Sequence, residues 1–229
     1  MHNFNDLLLI ERLVVIVSMT KMRKDCRMKK YAMEFVGTFF LTVAISLTGN
    51  PLMIGLMLMA MIYVGGHVSG AHFNPAISFA CFVQNRLKLA DAGMYIAAQS
   101  LGAALALIVY MIITNNVFTL EMVPGSPVLV PMAIEALFVL VLCWVYMTMN
   151  FDNRYKNSVI PGIVIGLTLM AIVSANSLFN PAIAIASAAC SLVKEGTCGG
   201  LASLVVYIAG PLLGGLAASF MFNYFKSEV

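Results

Sequence analysis

Charge is what this sequence has least of. Lys, Arg, Asp and Glu together make up 10% of its 229 residues, whereas soluble domains carry about 25%. Such a chain cannot cover a water-facing surface, which excludes a soluble globular enzyme, a disordered segment and a nucleic-acid binder. The net charge of +3 is too small to argue for a polyanionic partner. Five cysteines contain no Cys-x-x-Cys pair, so neither a zinc framework nor a redox motif is implied. No Ser–His–Asp set, no paired catalytic carboxylates and no phosphate-binding loop stand out. No enzyme activity, metal or cofactor is expected. What is present is apolar: 61% of residues, with a mean hydropathy of +0.94. The composition is that of a polytopic membrane protein embedded in a lipid bilayer, with room for six helices of about 20 residues.

Six long apolar stretches are legible, at about Tyr31–Gly49, Pro51–Gly66, Gly93–Thr114, Val128–Met149, Ser158–Ser174 and Leu201–Phe225. Two further apolar pieces, about Asn74–Phe82 and Asn180–Leu192, are too short to span. Nine helical residues cover about 14 Å, roughly half of a hydrocarbon core. With six spans, twelve of the thirteen Lys and Arg residues fall on one face, and only Lys194 falls on the other. That asymmetry places both termini in the cytoplasm, with the plasma (inner) membrane as the expected location. Residues 1–27 are read as a cytoplasmic extension, interfacial or disordered, ahead of a membrane domain over 28–229. The apolar run Leu7–Ser18 is interrupted by Glu11 and Arg12, and the positive charges follow it, unlike a signal peptide.

The membrane domain contains the same pattern twice, over about 31–114 and about 128–225. Each copy has a Glu early in its first span (Glu34, Glu135), then Phe-Asn-Pro-Ala-Ile (from Phe73 and Phe179), then Tyr-Ile-Ala and, five positions further, a Gly (Tyr95 to Gly102, Tyr207 to Gly214). Three spans per copy is an odd number, so the second copy is inverted. Inverted repeats put a substrate path at the interface of the two halves, near the bilayer midplane.

Asn is a favoured helix N-cap and Pro a favoured first helical residue. Asn74-Pro75-Ala76 and Asn180-Pro181-Ala182 are therefore expected to open two short helices that meet head to head and form a pore constriction. Irregular backbone at that depth is tolerated where it lines an aqueous cavity. The residues before each cap, Gly70, Ala71, His72 and Phe73 in one half and Asn176, Ser177, Leu178 and Phe179 in the other, are thus expected to present carbonyls to the pore. Each helix N-terminus carries roughly half a positive charge, and two of them at one constriction oppose any cation, a hydrated proton included. Two Asn amides donating to one water oxygen also interrupt a proton wire. The expected permeant species are water and small neutral solutes.

Gly66-His67-Val68-Ser69-Gly70-Ala71-His72-Phe73-Asn74-Pro75-Ala76, together with the second Asn-Pro-Ala, resembles the major intrinsic protein family, the aquaporins and glycerol facilitators. The resemblance covers about residues 30–225 and implies an all-α fold of six transmembrane helices and two re-entrant half-helices, a homotetramer, and one pore per subunit. It also implies that Glu34 and Glu135 are buried structural carboxylates accepting hydrogen bonds from the re-entrant loops. Most members carry Arg after the second Asn-Pro-Ala, where this chain has Ile183. By the same resemblance the outer selectivity filter falls on Ile54, Val173, Ser177 and Ile183, apolar apart from one hydroxyl. A glycerol, urea or ammonia facilitator is the nearest alternative to a water channel. A secondary transporter or a non-conducting membrane scaffold are alternatives of another class.

Other residues have plainer readings. His67 and His72 belong to the first motif and orient its loop, with a pH-sensing role for His72 as the alternative. Cys190 and Cys198 are on the outer side, as free thiols or as a disulfide. The seventeen Met fill irregular gaps. Gly102, Ala106, Gly210 and Gly214, at four-residue spacing, permit close helix contact.

Overall fold

A computed structural model describes residues 4–120, 127–155, 158–174, 178–196 and 201–226, with side chains from residue 22 onward except 23, 195 and 201. Among the described residues the protein is all-helical. In chain order the helices are α1 (Phe4–Thr48), α2 (Pro51–Ser69), α3 (Pro75–Val83), α4 (Leu89–Thr114), α5 (Leu129–Phe151), α6 (Ile160–Val173), α7 (Pro181–Glu195) and α8 (Leu201–Phe225). Five of them, α1 from Lys24, α2, α4, α5 and α8 from Ala202, are long and apolar enough to cross a membrane.

The first helix is long: α1 runs unbroken for 45 residues from Phe4, through the boundary expected between the extension and the membrane domain. No Gly or Pro occurs between Phe4 and Val36, and the interrupting Glu11 and Arg12 are good helix formers. The fifth apolar stretch forms a helix of 14 residues, α6, shorter than expected and covering about 21 Å.

The repeat is visible in the packing. α1 lies on α4 and α5 lies on α8, while α2 and α6 pack on each other between the halves. Glycines set these close approaches. A Cβ on Gly102 would run into the Phe35 carbonyl oxygen, and one on Gly214 into that of Ala136. At the α2–α6 contact, a Cβ on Gly55 would sit 2.7 Å from the Gly166 oxygen, and one on Gly166 equally close to the Gly55 oxygen. Each short helix is held by both halves: α3 packs against α4 and α8, and α7 against the same two. The outside of the bundle is apolar, with Ile112 77%, Leu137 59% and Phe220 67% exposed, a surface suited to lipid rather than water.

Candidate functional site

The two Asn-Pro-Ala segments meet inside the bundle. Asn74 and Asn180 have extended backbones, and each side-chain Oδ1 accepts from the N–H two residues on, Ala76 at 2.9 Å and Ala182 at 3.1 Å. That bond fixes which end of each amide is oxygen. The nitrogens then cross between the halves: Asn74 Nδ2 donates to the Phe179 carbonyl at 2.7 Å, and Asn180 Nδ2 to the Phe73 carbonyl at 2.9 Å. An amide nitrogen has two donors, so each Asn keeps one N–H uncommitted by these bonds. Both Asn line the same cavity.

The carbonyls reach across because Phe73 and Phe179 adopt left-handed backbone, at φ 50° and 56°. Bulky residues rarely do so, at a cost of order 1–3 kcal/mol each. Matching strain at matching repeat positions is held in place by carboxylates. Glu34 is fully buried. Its Oε1 accepts from Ser69 Oγ at 2.6 Å and the His72 N–H at 3.0 Å, and its Oε2 from the Phe73 N–H and Gln99 Nε2, both at 2.7 Å. Glu135, also fully buried, accepts from the Leu178 N–H at 2.8 Å and the Phe179 N–H at 2.9 Å. A buried carboxylate persists only with such donors.

Some of the side chains bracing the first loop have no polar counterpart at the matching position of the second. In the first, Gln99 Nε2 and the His72 ring Nδ1 both lie 3.0 Å from Ser78 Oγ, and the hydroxyls of Tyr95 and Tyr146 donate to the Ser69 and Gly70 carbonyls, each at 2.7 Å. In the second half, the residues matching His72, Ser78 and Gln99 are Leu178, Ala184 and Pro211, which offer no side-chain hydrogen bond. Gln99 and Ser78 escaped the sequence reading, although a Gln inside an apolar span is a signal in itself.

The cavity at the Asn pair has about 10 Å³ of room for water centres, enough for a single water. Its wall is mostly apolar, including Leu41, Leu58, Ile77, Leu142 and Leu169, with His72 and the two Asn as its polar side chains. Among the described residues, the Ala71, His72 and Leu178 carbonyls accept no hydrogen bond, whereas that of Gly70 accepts the Tyr146 hydroxyl. The leucines carried no distinguishing sequence signal, since Leu is ordinary in any span. His67, in the last turn of α2, is exposed.

Ile54, Val173 and Ile183 do not line this cavity. Ile54 and Ile183 are buried, at 1% and 0% exposure, in two separate apolar clusters, and Val173 packs at the edge of the first. Ile183 shares its cluster with Ala103, Leu107 and Val206, and Phe118 and Leu120 pack against it. The loop carrying those two aromatic and aliphatic residues is strapped to α7 by Ser187 Oγ donating to the Phe118 carbonyl at 2.7 Å and Lys194 Nζ to the Asn115 carbonyl at 3.0 Å. Cys190 is buried as a free thiol. Asn176, Ser177 and Cys198 lie outside the described residues. Among the described residues, no group of three His, Cys, Asp or Glu could hold a metal ion.

Comparisons with known proteins agree with this geometry. The family model "Major intrinsic protein" matches residues 44–222. A "Probable aquaporin NIP-type" of Nicotiana alata is 29% identical over 221 residues, 87% of this chain and 78% of that one. A "Glycerol uptake facilitator protein-like 6" of Lactiplantibacillus plantarum is 32% identical over 222 residues, 88% of this chain and all of that one. Among solved structures, the aquaglyceroporin from Plasmodium falciparum superposes with a TM-score of 0.77 at 22% identity, covering 87% of this chain and 96% of that one. An all-helical inverted repeat, two Asn-capped half-helices joined head to head, and a family match over most of its length show that this chain belongs to the major intrinsic protein family.

Proposed function

We propose that this chain is a passive channel that conducts water and small neutral solutes and excludes ions and protons. One observation carries the reading: each Asn amide is committed through its oxygen to its own half-helix and through one N–H to the opposite half. Two fixed N–H donors remain to bind one water oxygen. That water can donate only outward along the file, toward unpartnered carbonyls such as those of Ala71, His72 and Leu178, so the proton wire breaks there. The largely apolar wall offers an ion few groups to replace its hydration shell, and the two facing half-helix N-termini oppose cations. No covalent step is involved.

We assign the outer filter to Ile54, Val173, Ser177 and Ile183. A filter without Arg is wide, so the filter itself does not hold back glycerol- and urea-sized solutes. Ile183 is fully buried among apolar neighbours, which leaves neither charge nor donor at this position and supports this reading, as does a relative named for glycerol uptake. The channel works as a homotetramer in the plasma (inner) membrane with both termini cytoplasmic. Residues 28–229 form the channel domain.

Stopped-flow swelling of proteoliposomes tests the whole reading. Osmotic water flux with low activation energy, glycerol and urea entry, and no proton leak are expected. Uphill solute accumulation identifies a transporter, and absence of any flux a scaffold. Fast water flux with glycerol and urea excluded refutes the wide filter alone.

A further inference from the structure

A second cavity lies away from the Asn pair, between the C-terminal ends of α5 and α8, with about 130 Å³ of room for water centres. Its walls divide into two chemical halves. One is aromatic: the Trp144 and Phe225 rings stack at 5.4 Å with 30° between planes, and Phe222 lies beside them. The other half is polar, formed by Thr148, Asp152, Arg154 and Lys226.

The polar half carries one net positive charge with its donors largely unspent. Asp152, the C-cap of α5, is committed to Arg154. Its Oδ1 accepts from the Arg154 backbone N–H at 2.9 Å and from Nε at 3.1 Å, and its Oδ2 from Nη2 at 2.7 Å. That pairing holds the Asp152 carboxyl below the usual carboxylate range. A guanidinium has five N–H donors, so the Nη1 edge of Arg154 stays open, on a side chain 62% exposed. Lys226 is exposed and makes no ion pair among the described residues. The Thr148 hydroxyl makes no hydrogen bond among them either.

We propose that this cavity binds the phosphate of an anionic phospholipid, with Lys226 and the open edge of Arg154 on the phosphate oxygens and Thr148 as a further donor. The Trp144–Phe225 stack packs against the glycerol and the first acyl carbons. A free phosphate ion would use the polar half and leave the aromatic half wet. A phospholipid has the same sequence of chemistry as the cavity, charge and then hydrocarbon. α8 continues that match outward, since Phe220, Tyr224 and Phe225 are 67%, 82% and 59% exposed. Basic pockets between transmembrane helices on the cytoplasmic side suit such headgroups, and aromatic rings favour the same depth. This inference shares with the proposed function only the membrane orientation, so pore permeability and lipid retention succeed or fail independently.

Native mass spectrometry of the intact chain, purified in detergent and offered phosphatidylglycerol or phosphatidylcholine, tests it. Phosphatidylglycerol is expected to be retained preferentially. Lys226→Gln, an exposed change beyond the last helix, should lower that retention about fivefold. Arg86→Gln removes a cation outside the cavity and should leave retention unchanged. Equal retention of the two lipids overturns the proposal, as does an equal loss in Arg86→Gln, which would mean unspecific attraction. Millimolar inorganic phosphate should not displace the lipid. Displacement by it would assign the site to a free anion and overturn the lipid reading.

Discussion

Glu34→Ala removes the acceptor of four buried donors: the Ser69 hydroxyl, the His72 and Phe73 N–H groups and Gln99 Nε2. A buried donor without a partner costs about 1–3 kcal/mol, so even the low end gives about 4 kcal/mol. The loss also removes one of the bonds that hold the left-handed backbone at Phe73, leaving the Asn180 Nδ2 donation to its carbonyl. Glu34→Gln is the graded control. Its amide nitrogen cannot accept, so one backbone N–H is orphaned whichever way the side chain turns. Gln99 can compensate in part by turning over, because its buried Oε1 has no partner. The expected cost is about 1–3 kcal/mol. Thermal unfolding in detergent, read by size exclusion, should show a midpoint fall on the order of 10 °C for Glu34→Ala, less for Glu34→Gln, and reduced folded yield. Glu135→Ala orphans at least the Leu178 and Phe179 N–H groups and should also lose yield, with unchanged selectivity in whatever protein folds. Normal yield and midpoint together with altered selectivity would refute the reasoning, because the carboxylates would then be pore groups rather than anchors.

Asn74→Asp and Asn180→Asp replace an N–H donor with negative charge at the constriction. Each should raise cation or proton leak in a liposome pH-dye assay, and an unchanged leak in both variants would sink the electrostatic account. Ile183→Arg should reduce glycerol and urea swelling far more than water flux, whereas an equal loss of all three in folded protein would remove Ile183 from the filter. Gly102→Val and Gly214→Val force a side chain into the Phe35 and Ala136 carbonyls and should each cost about 1–3 kcal/mol. Unaltered unfolding midpoints would show that the α1–α4 and α5–α8 contacts can spread freely.

The elements legible in the sequence were those with a local physical signature. Apolar runs mark helices, and α8 covers the very stretch Leu201–Phe225. Asn followed by Pro marks a helix start, and α3 and α7 begin at Pro75 and Pro181. The helicity of the N-terminal part of α1 was not read from the sequence, because Glu11 and Arg12 interrupt its apolar run without lowering its helix propensity. α6 occupies Ile160–Val173, inside the stretch Ser158–Ser174, whose two terminal Ser residues fall outside the helix. The exchange of amide and carbonyl between Asn74 and Phe179, and between Asn180 and Phe73, has no local signature. It depends on two left-handed residues that carry aromatic side chains, which intrinsic preference argues against. The leucines of the cavity wall are equally silent, since only three-dimensional placement separates them from those facing lipid.

Asn74 and Asn180 are completed by carbonyls 105 and 107 residues away, and this bears on how the protein is made. While the chain is emerging, the first three spans can enter the bilayer and Glu34 can gather its own loop. The Phe73 carbonyl has no amide to meet until Asn180 has been synthesised and its half-helix inserted from the opposite side. Contacts of such long sequence separation form slowly and late. Until then, the unsatisfied backbone at membrane depth must be kept wet or shielded by protein. The constriction is therefore a seam between two halves made one after the other, and a chain arrested before residue 180 lacks the second amide that completes it.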